Sequence, residues 1–215
     1  CQSSREYITT VSFLRENKDL RLEENQIQDL ADEVSRGCTD AAERFVVITN
    51  ILMNAGLDGK SSLQKGLHYA NSSKSSFQMF VHTFKRTYLK GELDLTLRKA
   101  VSIASQVAKD LDGQNKAVKK SFDSIVSACH AEVLPLTPLQ CARTAVTVTT
   151  PVKKFDRPLG KSFVNLYSFL TSKEDSNLPT YKALEMAKGL VPFGPLVTQN
   201  FKQAYQFALS DDGLN

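Results

Sequence analysis

The chain has 215 residues, an apolar content of 41% and 27 Lys and Arg residues against 23 Asp and Glu residues, a formal net charge of +4 at pH 7. The absence of Trp, with only 10 Gly and 7 Pro residues, disfavours a turn-rich β-sandwich or barrel. No stretch approaches the ~20 apolar residues that a membrane-spanning helix needs. The composition therefore indicates a mostly helical protein with enough chain for a buried core.

Five segments of the chain share one pattern of apolar and small residues. Each segment begins with an apolar stretch that contains aromatic residues, followed by a short polar turn and a second helix. In this second helix, a small or compact apolar residue lies four positions before an alanine. Successive alanines are separated by 39, 34, 41 and 42 residues, which is typical of helix-hairpin repeats. The pattern predicts five helix pairs and a final helix that starts at Phe201. The five alanines are Ala31, Ala70, Ala104, Ala145 and Ala187.

These hairpins resemble α-solenoids built from helix pairs, such as HEAT, armadillo and tetratricopeptide arrays, and the repeat spacing is nearest to HEAT. The resemblance implies an all-α, right-handed array of about five hairpins of roughly 39 residues plus a C-terminal helix. It also implies a single domain over residues 1–215, because one hairpin alone cannot bury its aromatic face and must stack on its neighbours. Arrays of this kind usually bind a partner, so the resemblance implies a binding function as well. An irregular helical bundle in which small residues recur by chance is the alternative.

The chain begins with Cys1-Gln2-Ser3-Ser4, which resembles a mature bacterial outer-membrane lipoprotein. The resemblance implies a lipid-modified Cys1 and anchoring to the envelope membrane. Gln2 replaces the Asp that is associated with inner-membrane retention, so the implied location is the outer membrane or another extracytoplasmic site. A cut at this point in a longer or secreted chain would give the same first residue, and that alternative stays open.

The second hairpin contains "NAGLDGKSS" at residues 54–62, and its Gly-Lys-Ser matches the end of a phosphate-binding P-loop. A P-loop requires a glycine six residues before Lys60, where this chain has Asn54. The segment is better explained as a turn, in which Gly56 or Gly59 ends one helix and Ser62 starts the next.

Charge is distributed unevenly, since residues 1–44 carry a net charge of −4 and residues 85–161 carry +7. A basic face on this second segment could bind anionic lipid or a nucleic-acid backbone. Interspersed acidic residues favour a solvated face, and the excess of Lys over Arg disfavours nucleic acid as a partner. The candidate basic face consists of Lys85, Arg86, Lys119 and Lys120.

Cys129 and Cys141 flank the turn of the fourth hairpin, twelve residues apart. Antiparallel helices could bring them within bridging distance. Two buried free thiols are the alternative, because Cys141 occupies the small-residue position and Cys packs like a small apolar residue.

Residues 149–161, rich in Pro and basic residues, are predicted to form a long linker where the array could bend or divide. Phe155 lies in this linker, and Phe193 lies in a shorter Pro-containing connection over residues 188–195. Both are expected to close the end of a core rather than to anchor a partner.

The sequence contains no GxSxG or HExxH motif, and no Cys or His spacing typical of zinc. His68, His82 and His130 are expected to be surface or partly buried polar residues. We therefore predict a non-enzymatic protein-binding or scaffold module without catalytic residues, cofactor or metal, whose partner is another protein. An envelope hydrolase with dispersed catalytic residues, or a binder of nucleic acid or anionic lipid through residues 85–161, is the alternative.

Overall fold

The computed structural model describes residues 3–37, 39–155 and 157–209, without the side chains of Phe155 and Leu209. Across these residues the chain forms eleven α-helices and two short 3-10 helices, and it has no β-strand. The all-α prediction is thus confirmed for the described part of the chain. In these same residues, no helix is both long enough and apolar enough to traverse a bilayer.

The helices follow one another with short connections. In chain order they are α1 (Ser4–Glu16), α2 (Glu24–Arg36), α3 (Ala41–Asn54), α4 (Gly59–Ala70), α5 (Lys74–Tyr88), α6 (Leu97–Ala108), α7 (Asn115–His130), α8 (Pro138–Phe155), α9 (Gly160–Thr171), α10 (Thr180–Leu190) and α11 (Pro195–Leu209). The 3-10 helices are Lys18–Leu20 and Val191–Phe193.

The chain divides into two compact units, the first ending at Val81 and the second beginning at His82, within α5. The predicted linker over residues 149–161 is wrong for residues 149–155, which continue α8 through Pro151. Burial explains this continuation, because Val152 is fully buried and its packing offsets the backbone hydrogen bond that Pro151 cannot donate. A single domain over residues 1–215 stays a prediction.

The first unit is built from two helix hairpins and the start of α5. α1 packs against α2, α3 packs against α4, and the two hairpins meet through α1 against α3 and α2 against α4. Phe13 and Phe45 form an edge-to-face pair with ring centroids 5.9 Å apart. Val34 and Ala70 from the second helix of each hairpin complete this core.

The second unit shows the same kind of packing. α7 packs against α8, α9 against α10, and helices two apart along the chain also meet: α6 with α8, α7 with α9, α8 with α10 and α9 with α11. Stacked hairpins would make these contacts. The number of repeats and the right-handed sense of the array stay predictions.

The small residues of the predicted repeat lie at packed positions in both units. All five alanines that define the predicted repeat are fully buried. The residues four positions before them are buried as well, so each second helix presents a narrow, closely packed face. These preceding residues are Ile27, Gly66, Ala100, Cys141 and Ala183.

Local capping chemistry sets where several second helices begin. α8 opens with Thr137 and Gln140, each side chain accepting a backbone N–H from the other residue. α4 starts earlier than predicted, because Asp58 accepts the N–H of Ser61 and Ser62 lies buried inside the helix. This hydrogen bond lowers the pKa of Asp58. "NAGLDGKSS" is thus confirmed as the turn and helix start of a hairpin.

Candidate functional site

The four residues of the predicted basic face differ in their surroundings. Lys85 on α5 and Lys119 and Lys120 on α7 are exposed. Arg86 is partly buried and pairs with Glu92, so its charge is neutralised within the second unit. The structure therefore keeps three of these cations open to solvent.

Arg86 belongs to a set of five charged or titratable side chains that we call the charged cluster. His82 Nε2 lies 2.7 Å from Asp123 Oδ1, and His130 Nε2 lies 3.6 Å from Glu92 Oε2. Arg86 joins the two pairs, because it contacts Glu92 and its Nε lies 3.5 Å from the same oxygen of Asp123. That last contact is electrostatic only, since the buried Nε makes no well-aligned hydrogen bond.

The first pair of this cluster follows the spacing of the predicted repeat. His82 and Asp123 are 41 residues apart, the same offset that separates Phe84 on α5 from Ile125 on α7. Sequence reasoning treated the three histidines singly and missed both carboxylates. Aligning the third and fourth repeats residue by residue would have placed His82 and Asp123 side by side.

Asp123 also lines the wall of a cavity of about 710 Å³ in the second unit. A His–Asp pair can orient a general base, but a nucleophile must then hydrogen-bond to the histidine. Among the described residues, Asp123 is the only hydrogen-bond partner of His82, and the Ser124 hydroxyl donates to the carbonyl of Lys120. Across the described residues as a whole, no group of three or more His, Cys, Asp or Glu side chains is placed so that it could hold a metal ion. The cavity is lined by Lys120, Asp123, Ser124, Ser127, Pro158, Lys161 and Val164.

Cys129 and Cys141 form a disulfide, which confirms one of the two alternatives. Their sulfur atoms lie 2.15 Å apart and their Cα atoms 6.4 Å apart. The bond joins the last turn of α7 to the first turn of α8, across the connection between two antiparallel helices. Cys1, the predicted lipidation site, and Cys38 lie outside the described residues.

A second concave surface, which we call the C-terminal groove, lies between the segment at the end of α8 and the segment that joins the second 3-10 helix to α11. It has a volume of about 380 Å³. Leu159 in its lining is buried, whereas Phe193 and Leu196 are 71% and 69% exposed. The lining residues are Lys154, Arg157, Leu159, Phe193, Gly194, Pro195 and Leu196.

The expectation that Phe193 closes a core is wrong. Val191, two residues earlier, takes the buried position, and the 3-10 helix then ends at Gly194 with a φ of +97°. This φ lies in the region that glycine adopts readily, and the resulting turn leaves Phe193 in solvent. The side chain of Phe155 lies outside the described residues.

Further large apolar side chains are exposed on the helices that flank the groove. α10 buries only Ala183 and Ala187, and its Tyr181 is 66% exposed. On α11, Val197 and Phe207 are exposed alongside Leu196. Together with Phe193 these are the exposed large apolar side chains of residues 181–207, and we refer to them as the C-terminal apolar surface: Tyr181, Met186, Phe193, Leu196, Val197 and Phe207.

The two lysines at the end of α8 have different roles. Lys153 Nζ donates to the carbonyls of Gln106 and Lys109, at 3.1 and 2.6 Å, and so satisfies carbonyls at the end of α6. Burial lowers the pKa of Lys153. Lys154, in contrast, is exposed and lines the C-terminal groove. Sequence reasoning did not separate them, because neighbouring lysines look alike until their helix is placed.

Comparison of the chain with protein-family models, with curated proteins and with solved structures gave no match. The resemblances to helix-pair solenoids and to outer-membrane lipoproteins therefore stay predictions.

Proposed function

We propose that the protein is a non-enzymatic binding module that holds a protein partner against its C-terminal apolar surface. The observation that carries this proposal is the exposure of Phe193 at the edge of a groove. Six of the nine large apolar side chains that are exposed in the described part of the chain lie within residues 181–207. Exposed apolar side chains are typical of protein-protein contact sites, and aromatic anchors supply much of the binding energy there. Burying one such side chain contributes about 1.5–3 kcal/mol.

The disulfide supports a location outside the reducing cytosol. Stable disulfides are found mainly in secreted, periplasmic and cell-surface proteins. Separately from the disulfide, and only on the resemblance of Cys1-Gln2-Ser3-Ser4 to lipoproteins, we propose that an acylated Cys1 anchors the protein to the envelope membrane. Mass spectrometry of the N-terminal peptide from the native cell should show a lipid adduct on this residue, and an unmodified Cys1 would contradict the anchor.

A site-specific photo-crosslinker tests the binding surface. We expect a benzophenone side chain in place of Phe193 to give a discrete protein adduct in the native envelope. The matched control is the same side chain in place of Ile8, an isoleucine of the first unit that is 63% exposed. No adduct at either position, or the same adducts at both, would contradict the proposed function.

A ligand with several negative charges is the second candidate partner. Lys120 and Lys161 both line the 710 Å³ cavity, and Lys85 and Lys119 are exposed. Binding of this kind weakens steeply as salt rises, because counterions are released from the ligand. Sedimentation with anionic vesicles at increasing salt would reveal it, and Lys120→Ser with Lys161→Ser should abolish it.

A further inference from the structure

We propose that the C-terminal groove binds an acidic peptide segment of the partner, with an apolar side chain against Phe193 and Leu196 and flanking carboxylates beside Lys154 and Arg157. The inference rests on the proposed function and adds the chemistry of the partner. Its starting point is the composition of the groove, which combines exposed apolar side chains with two cations and contains no carboxylate among its described lining residues.

The shape of the groove favours a peptide over a flat surface. Its volume of about 380 Å³ can take one or two side chains, and the buried Leu159 gives it an apolar wall. An inserted leucine or phenylalanine would contact Leu159, Phe193 and Leu196 together. A membrane surface would meet the exposed rim but would not fill the cavity.

The backbone around Phe193 is constrained before any partner binds. Pro192 and Pro195 have fixed φ angles, and Gly194 is held between them with its φ of +97°. Pro195 is also the first residue of α11. A rigid segment loses little conformational entropy when it binds, so the exposed position of Phe193 is preorganised for contact.

The charges around the groove select the partner. Lys154 and Arg157 are exposed, and within the described part of the chain neither makes an ion pair. The N-terminus of α11 at Pro195 adds a partial positive charge at the same edge. Carboxylates of a partner are therefore expected to lie beside Lys154 and Arg157.

Peptide titration of the purified full-length chain tests the proposal. The probe is the capped peptide Glu-Asp-Leu-Phe-Asp-Glu, compared with Gln-Asn-Leu-Phe-Asn-Gln, which lacks the charges, and with Glu-Asp-Ser-Ser-Asp-Glu, which lacks the apolar pair. Each peptide is added to a final concentration of about 5 mM while the chemical shifts of the backbone amides are followed by NMR. This concentration is high enough to detect complexes with a millimolar Kd. We expect saturable shifts around Gly194 and Leu196 with the first peptide only.

Variants of the chain separate the charged from the apolar contribution. Lys154→Ser with Arg157→Ser should weaken binding of the acidic peptide about five- to twentyfold, as expected for two exposed ion pairs. Phe193→Ser should abolish it. The control, Arg5→Ser with Lys18→Ser, removes two exposed cations of the first unit, outside the groove and outside the candidate basic face, and should leave the affinity unchanged. Circular dichroism verifies that each variant is folded.

Three outcomes would overturn the proposal. The uncharged peptide could bind as well as the acidic one, or the acidic peptide could give no saturable shifts. Alternatively, the chain could bind none of the peptides but sediment with anionic vesicles, and lose this sedimentation in the Phe193→Ser variant. If the crosslinker at position 193 still captures a protein in any of these cases, the proposed function stands and only the partner's chemistry is wrong. If that adduct is also absent, the proposed function fails too.

Discussion

The carboxylate of Glu6 caps a helix to which it does not belong. Its Oε2 accepts the backbone N–H of Ala42 at 2.6 Å, in the first turn of α3. Asp40, at the N-cap position of α3, has a φ of 71° and makes no side-chain cap bond. Glu6 on α1 therefore satisfies a donor that local sequence leaves open.

Removing this distant cap should destabilise the first unit. Glu6→Ala is expected to lower the free energy of unfolding by about 1–2 kcal/mol, because a buried N–H loses its acceptor. The control is Glu16→Ala, an exposed carboxylate at the end of the same helix, where a negative charge is unfavourable. Urea unfolding of both variants measures the difference, and equal stabilities would show that the cap contributes nothing.

Gly160 lies at a point where α9 approaches α7 too closely for a side chain. A Cβ atom at this position would lie 2.5 Å from the carbonyl oxygen of Ser121 and 2.8 Å from its Cα. The Ser121 hydroxyl also accepts the N–H of Leu159 at 2.9 Å, which fixes the start of α9. The contact is with backbone, so it cannot be relieved by a change of rotamer.

Gly160→Ala should consequently cost about 1–3 kcal/mol of stability. Gly189→Ala, in the exposed part of α10, is the matched control, since no atom beyond its chain neighbours and the backbone of its own helix lies within 4 Å of the added methyl group. There alanine should stabilise by about 1 kcal/mol, because it favours helix over the unfolded chain. Thermal unfolding compares the two, and a similar shift for both would show that α9 can move away from α7.

At the scale of whole helices, the small faces of the second helices define the packing. Ala104→Leu in α6 and Ala145→Leu in α8 should each lower stability by about 1–3 kcal/mol, because both alanines are fully buried. Ala204→Leu in α11 places the same side chain at an exposed position and should be close to neutral. If the melting temperatures of all three variants match the wild type, the faces are not closely packed.

The positions of the second helices could be predicted because their small residues recur in one register. The start of α8 has a local cause, because Thr137 and Gln140 cap it reciprocally and lie only three residues apart. In contrast, the continuation of α8 past Pro151 depends on the burial of Val152, which no local pattern reveals. The first residue of a helix can be predicted from local capping residues. The last residue cannot be predicted in this way when tertiary packing determines where the helix ends.

The candidate site could be predicted less well than the fold. Phe193 looked like a core residue, because only the burial of Val191 two residues earlier decides which of the two faces solvent. The separation of Lys153 from Lys154 likewise depends on where the end of α6 lies. Sites built from neighbouring segments need the packing of those segments to be known first.

At the scale of the whole molecule, the disulfide closes a loop between two cysteines that are 12 residues apart in the sequence. Its removal should lower stability by up to about 3 kcal/mol, since the unfolded chain then gains entropy. Calorimetry with and without a reductant measures this effect. The double variant Cys129→Ala with Cys141→Ala keeps a small residue in α8 and should no longer respond to the reductant. A wild-type melting temperature that is unaffected by complete reduction would contradict the stabilising role.

The sparse burial of the last two helices has a consequence for local opening. α10 buries two alanines, and Thr198 is the only buried residue of α11 whose side chain is described, whereas α7 buries seven residues. Segments with few buried contacts exchange their amide protons through small, frequent unfolding events. Amides of α10 and α11 should therefore exchange sooner than those of α7 in deuterated solvent. An occupant of the C-terminal groove would bind only the folded form and would therefore slow that exchange, because its binding free energy adds to the free energy of local opening.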